Sequence, residues 1–297
     1  MPERPRRRRL ALATFERIPD LSYGDRLLPP ALATHGIEAE PVVWSNAAVD
    51  WRVFDAVVIR SCWDYHLHLD AFRQWLDHLE RAGVPVWNSP VLVRWNVDKR
   101  YLLDLARRGV ATIPTMVVPR GNASDVEEIA LAEGWDRFVV KPVVSASGYE
   151  THALRTPLDE PARATIARVV SLGDALVQPF APEIGRDGEY SFTFLDGRFS
   201  HATLKRAAPG EFRVQAEHGG TDQAVEPSAH LVAQAEHVLR ALSDLPPPLY
   251  ARVDGIERQQ AFLLMELELI EPNLYLDNNA GAAVVLADGI ARRMAPR

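Results

Sequence analysis

Three lysines, Lys99, Lys141 and Lys205, stand against thirty arginines in this chain. Where arginine supplies nearly every cation, a retained lysine hints at a site wanting a compact, flexible point charge, such as one facing a phosphate oxygen. Lys141 ends a β-branched run in RFVVKPVVSASGYE (137–150). The loop after it, with Ser145, Ser147 and Gly148, could fold backbone N–H groups over an anion, though by itself it reads more readily as a plain surface turn. Carboxylates supply the other half of the pattern. ARVDG puts Arg252 and Asp254 on one strand face, and MELELIEP puts Glu266 and Glu268 on one face against Leu267 and Leu269 on the other. Two carboxylates projecting together repel unless a cation joins them, and hard oxygen ligands beside phosphate describe Mg²⁺. A solvated sheet face is the bland alternative. No Walker A loop, G-x-G-x-x-G or G-x-S-x-G motif is present, and His66 and His68 lack zinc-ligand spacing. Cys62 reads as a small buried hydrophobe in preference to a nucleophile paired with His66.

These residues need elements to hold them. Strand-like and helix-like segments alternate through the first hundred residues, the pattern of a parallel α/β sheet. Strands are expected at 10–15, 38–44, 55–60 and 84–87. A helix is expected at 71–83, where Phe72, Trp75, Leu76 and Leu79 share one face and Gly83 stops the run. Asn88-Ser89-Pro90 closes this unit. A helix at 98–109, a strand at 113–119 and a helix opened by a Ser124/Glu127 capping box follow. Strands at 137–141, 151–155 and 175–180 enclose a helix at 161–172. The last third turns to hairpins, with Asp196-Gly197 as the turn of 189–206. A helix at 228–243, strands at 249–255 and 261–272, and a helix from about 280 finish the chain.

With 297 residues, 47% hydrophobic and 25% charged, the chain suits two or three subdomains around a cleft. A net charge of −7 disfavours a nucleic-acid surface. The basic run Arg4 and Arg6 to Arg9 is the exception, read as a solvated tail, because the apolar LALATF behind it is too short for export or a membrane span. One cysteine excludes an internal disulfide framework and fits a reducing cytosol.

Lys at a helix start, Lys-Pro before a flexible loop, VQPF, and then Asp and Glu-x-Glu on late strands resemble the ATP-grasp superfamily, closest to its glutathione synthetase and ribosomal-protein glutamate ligase branch. Residues 96–293 carry the likeness, most specifically KRAAPGEFRVQAEHGG (205–220). The resemblance implies an α/β protein, α+β in its C-terminal part, with a Rossmann-like pre-ATP-grasp domain at 1–95, a central subdomain with a flexible Ser/Gly loop at 96–183, and a C-terminal subdomain with the metal site at 184–297. It implies that Lys99 and Lys141 hold ATP phosphates under the loop Ser145, Ser147, Gly148. Gln178, Pro179 and Phe180 would read adenine, with Glu189 on the ribose. Asp254, Glu266 and Glu268 would bind Mg²⁺, as one or two ions with Mn²⁺ as a substitute. Lys205, Arg213 and Arg252 would stabilise the transferred phosphoryl group. The branch has Glu-x-Asn where this chain has Glu266-Leu-Glu268, so Glu271 and Asn273 remain the rival metal pair.

The reaction so implied is ATP-dependent phosphorylation of a small amino-acid-like carboxylate, followed by capture of the acyl phosphate by nitrogen. The nitrogen could belong to the same molecule, since the superfamily includes ring-closing ligases that form D-cycloserine from an O-ureido-serine. A two-substrate carboxylate–amine ligase and a non-catalytic ATP-binding module are the alternatives. The substrate is expected at RSCWDYH (60–66), where a strand's carboxyl end meets the cleft. There Arg60 would meet a carboxylate and Asp64 an ammonium, between Trp63 and Tyr65; packing of an interdomain seam is the other reading. Asp20, Asp25, Asn88 and Ser89 are weaker candidates. The partners implied are ATP and that small substrate in the cytoplasm, without nucleic acid or membrane, and a homo-oligomer is allowed.

Overall fold

A computed structural model describes residues 7–295. Arg4 and Arg6 of the basic run lie outside these residues. Strand β1 (Arg8–Thr14) starts at Arg8, so Arg8 and Arg9 are pinned and not tail: Arg8 Nη2 donates to the His35 carbonyl and Arg9 pairs with Glu40. Helix α1 (Leu28–Ala33), β2 (Ile37–Val43), β3 (Ala56–Ser61), α2 (Leu69–Arg81) and β4 (Val86–Trp87) complete the first unit. Its sheet is parallel throughout, in the order β2-β1-β3-β4. Every residue of β3 is buried, as expected of a strand covered on both faces. On one face α2 packs Phe72, Trp75, Leu76 and Leu79, its expected apolar stripe.

Helices α3 (Pro90–Asn96) and α4 (Tyr101–Arg107) lead into β5 (Met116–Val118), α5 (Ala123–Ala132), β6 (Arg137–Pro142), β7 (His152–Arg155), α6 (Glu160–Leu172) and β8 (Ala175–Pro179). The second sheet is antiparallel, β5-β8-β6-β7, and α5 and α6 build a separate core against it from Val126, Phe138, Val140, Ile166 and Val169. The expected capping box does not form. Helix α5 begins before Ser124, whose hydroxyl bonds the Asp125 carboxylate inside the first turn.

After α7 (Glu183–Arg186) come β9 (Glu189–Leu195), β10 (Arg198–Arg206), β11 (Thr221–Val225), α8 (Ala229–Arg240), β12 (Tyr250–Arg258), β13 (Ala261–Glu268) and α9 (Ala282–Met294). The third sheet is antiparallel, β11-β10-β9-β12-β13. Its β9–β10 turn carries Asp196 and Gly197 at φ 47° and 78°, the left-handed pair that a tight hairpin demands. The chain's last helix, α9, packs Leu286, Ala287 and Ile290 against Leu10, Leu12, Leu28 and Val58, closing the other face of the first sheet.

Buried amides fasten the first unit to the third sheet. Asn88, which follows a cis peptide bond, donates to the carbonyls of Tyr250 (2.8 Å) and Leu269 (2.7 Å) and accepts from the Leu249 N–H (2.6 Å). Asn96 donates to the Leu267 carbonyl and accepts from the Leu269 N–H, both at 2.8 Å. The Tyr250 hydroxyl lies 2.6 Å from the carbonyl of Ile59 and 2.8 Å from that of Ile270.

Candidate functional site

The second and third sheets face each other across a cleft of about 290 Å³. All three lysines of the chain line it, one from each of three places: Lys99 from the turn before α4, Lys141 from β6 and Lys205 from β10. A backbone bond from the Lys99 N–H to the Val143 carbonyl (2.8 Å) ties the first to the segment that follows the second.

Strand register gathers the charges. Arg252 lies opposite Glu268, Asp254 opposite both Glu266 and Ser191, and Lys205 opposite Glu189. Lys205 Nζ therefore pairs with Glu189 (2.6 Å) and Asp254 (3.0 Å). Arg252 grips Asp254 with Nε (2.9 Å) and Nη2 (2.8 Å) and also pairs with Glu268, while the Ser191 hydroxyl donates to Asp254 Oδ1 (2.7 Å). Lys99 pairs with Glu266.

Burial opposes each of these charges, so the protonation states follow the neighbours. For Asp254 burial is the largest influence, yet Arg252 and Lys205 outweigh it and hold the carboxyl below its ordinary range. Lys99 and Lys141 do the same for Glu266, whereas burial dominates at Glu268 and lifts its carboxyl to about 7. Burial also raises Glu189 and carries Glu271 well up. Lys141 is unlike the other two lysines: burial lowers its ammonium, and it has no ion-pair partner among the described residues. A cation is held ready without an anion.

Ser145, Ser147 and Gly148 line the cleft in the loop after β6. Ser147 and Gly148 have φ of 50° and 68°, so the loop turns on left-handed backbone. A side chain at Gly148 would meet Arg213 Cδ at 3.2 Å, so glycine lets the loop lie against the 213–218 segment. Arg213 itself is held by Glu211 (2.7 Å). Gln178, Pro179 and Phe180 sit at the end of β8. The Gln178 amide donates to the Thr115 hydroxyl (2.8 Å), the Phe180 N–H donates to the Arg137 carbonyl (3.0 Å), and the Phe180 ring packs under the Arg137 guanidinium (3.5 Å).

Asp254, Glu266 and Glu268 line the cleft, but each is taken by a basic side chain. Among the described residues no three His, Cys, Asp or Glu side chains are assembled as metal ligands. Asn273 lines the cleft too, with its carbonyl accepting from Arg252 Nη1 (3.0 Å).

Two expected substrate residues are elsewhere. Arg60 is fully buried: Nε pairs with Asp25 (3.0 Å), Nη2 donates to the Pro272 carbonyl (2.8 Å), and the guanidinium packs on the Tyr250 ring. Asp64 accepts from the Trp44 indole (2.8 Å) and does not line the cleft. The pocket expected from Arg60 and Asp64 does not form, because Arg60 is paired with Asp25 in the interior and Asp64 bonds the Trp44 indole outside the cleft lining. Trp63 and Tyr65 do line the cleft. Asp25 is Arg60's buried counter-ion, Asn88 is a structural clamp, and Ser89 caps α3 by accepting from the Leu92 N–H. Cys62 is buried, with its thiol pushed up by burial. The reading from sequence did not single out the apolar walls Ile113, Val139, Ile184, Phe212 and Met265. They read as ordinary strand and loop residues until the two sheets face each other.

A family model described as the N-terminal domain of D-cycloserine synthetase DcsG matches residues 10–88. The chain is 34% identical over 304 residues to the cycloserine biosynthesis protein DcsG of Streptomyces lavendulae, covering 97% of this chain and 99% of that protein. The crystal structure of D-cycloserine synthetase DcsG matches with a TM-score of 0.88 at 31% identity, over 97% of this chain and 100% of that one. A D-alanine–D-alanine ligase from Bacillus anthracis, complexed with ATP, matches with a TM-score of 0.68 over 97% of each chain; at 15% identity this is a likeness of fold.

Proposed function

The chain belongs to the DcsG cycloserine-synthetase family of ATP-grasp ligases, and from that premise we propose that it activates a small amino-acid-like carboxylate with ATP and closes a ring with a nitrogen of the same molecule. A substrate carboxylate oxygen attacks the γ-phosphorus of ATP and ADP leaves, giving an acyl phosphate. The nitrogen then attacks the acyl carbon and loses its proton, and phosphate departs with the carboxylate oxygen. A free carboxylate is unreactive because oxide would have to leave; phosphorylation replaces it with a competent leaving group. An intramolecular nitrogen needs no second binding site and gains the entropic advantage of a tethered attack.

The observation that carries this reading is the meeting of all three lysines with Arg252 in a cleft between two antiparallel sheets. Lys141, which has no ion-pair partner among the described residues, and Lys99 are assigned to the ATP phosphates under the Ser145–Gly148 loop. Gln178, Pro179, Phe180 and Glu189 are assigned to the nucleoside, and Lys205, Arg213 and Arg252 to charge developing on the transferred phosphoryl group. Asp254, Glu266 and Glu268 are hard oxygen donors on neighbouring strands, two of them held ionised, and their chemistry fits Mg²⁺. Mg²⁺ there would neutralise phosphate charge, with Lys99 and Arg252 released from the carboxylates towards the nucleotide. We assign 1–95 to the pre-ATP-grasp domain, 96–183 to the central subdomain and 184–297 to the C-terminal one, with α9 returning to cover the first sheet. We place the reaction in the cytoplasm. No helix among the described residues is long and apolar enough to cross a membrane.

The test is incubation with ATP, Mg²⁺ and O-ureido-D-serine alone. ADP and a cyclic product by mass spectrometry are expected. ADP formed only after a second amine is added would replace ring closure by the two-substrate ligase.

A further inference from the structure

We propose that Glu271 is the substrate's ammonium anchor, in a corner of the cleft walled by Trp63 and Tyr65; the assignment rests on the ligase reading above. Glu271 lines the cleft and is 8% exposed. Glu189, Asp254, Glu266 and Glu268 each have a lysine or arginine within ion-pair distance, and Glu271 has none among the described residues. Buried carboxyl groups are ordinarily paired, and one left unpaired at a cleft wall is complementary to a ligand that brings its own cation, which draws the group raised by burial back to its ionised form.

The surrounding backbone is fixed for that purpose. The Trp63 indole donates to the Glu271 carbonyl (2.9 Å), Arg60 Nη2 to the Pro272 carbonyl (2.8 Å) and Arg252 Nη1 to the Asn273 carbonyl (3.0 Å). Three consecutive carbonyls are held by three buried or half-buried donors, so the carboxyl is presented from a rigid support. Arg60, expected to touch substrate, instead holds the residue next to the anchor. Trp63 and Tyr65 beside it in the lining exclude water, which strengthens an ion pair between the carboxylate and a primary ammonium.

The measurement is binding, by calorimetry with a non-hydrolysable ATP analogue present, and turnover, of O-ureido-D-serine and of 3-(ureidooxy)propanoate, which lacks only the amine. The parent is expected to favour the amine-bearing probe by about 30-fold or more, since an ion pair to a desolvated carboxylate is lost. Glu271→Gln should erase most of that preference, with KM rising more than kcat falls and ATP affinity unchanged, and Glu271→Asp should restore part of it. Unchanged ATP affinity and thermal melting show that the variants are folded. If Glu271→Gln keeps the preference, or the parent turns over both probes equally, the anchor is wrong and the ligase reading stands. A changed Mg²⁺ requirement with the preference intact would put Glu271 with the metal and overturn the assignment. If neither probe binds or turns over, the substrate reading fails and the anchor falls with it.

Discussion

Lys141 and Lys205 respond to truncation in opposite ways. Lys141→Ala removes a cation with no ion-pair partner among the described residues, and Glu266 keeps Lys99 beside it, so the fold should lose little stability. ATP affinity should fall by about 1.5–3 kcal/mol, the range for a hydrogen bond to a charged group, as read by calorimetry. Lys205→Ala leaves Glu189 and Asp254 buried with one cation fewer, and denaturant unfolding should show a loss on the order of 3–5 kcal/mol. Glu268 gives a pH dependence. Its folded value of about 7 lies above the ordinary 4.5, so between the two the folded protein keeps a proton that the unfolded chain has released. Its contribution to stability is full below the ordinary value and is lost as pH rises through about 7. A metal takes only the carboxylate form, so the Mg²⁺ needed for half-maximal ADP formation should fall over the same rise, and Glu268→Gln should flatten that dependence. At this scale the sequence was legible where strand alternation fixes a face, as for Arg252, Asp254, Glu266 and Glu268. It was misleading at Arg60, whose counter-ion Asp25 is 35 residues away and invisible to local spacing.

The strands of the first sheet were readable because burial on both faces selects continuous apolar runs, and α2 because its stripe repeats at helical period. Four elements were not, the single-turn α7 among them. Helix α1 is short and holds two prolines, and α3 begins at Pro90 behind the Ser89 cap, a start signal that was read only as the end of a unit. Strand β11 is exposed along nearly its whole length and shows no apolar alternation; pairing with β10 alone makes it a strand. The clamps between elements were equally hidden, since Asn88 and Asn96 bond main-chain groups more than 160 residues away. Asn88→Ala would orphan the Leu249 N–H and the carbonyls of Tyr250 and Leu269. At about 1–3 kcal/mol for a buried unsatisfied group, a stability loss of at least that size is expected, read by thermal melting. Unchanged melting would show that the first unit needs no such fastening.

Across the whole molecule, the first and third sheets are stitched by side chains, while the second has a core of its own and meets the third across the cleft. That division suits a rigid base and a closing cover. A non-hydrolysable ATP analogue should slow amide exchange at 145–150 and 211–218 far more than in β1 or α9. The central claim concerns what happens under that cover: ATP gives its γ-phosphoryl group to the substrate's carboxylate. The most direct measurement uses O-ureido-D-serine labelled with ¹⁸O in its carboxylate, followed by mass spectrometry of the phosphate released. Phosphate carrying one labelled oxygen is expected, because the acyl–phosphate bond forms through a substrate oxygen that leaves with phosphorus. Unlabelled phosphate released together with cyclic product would contradict the account.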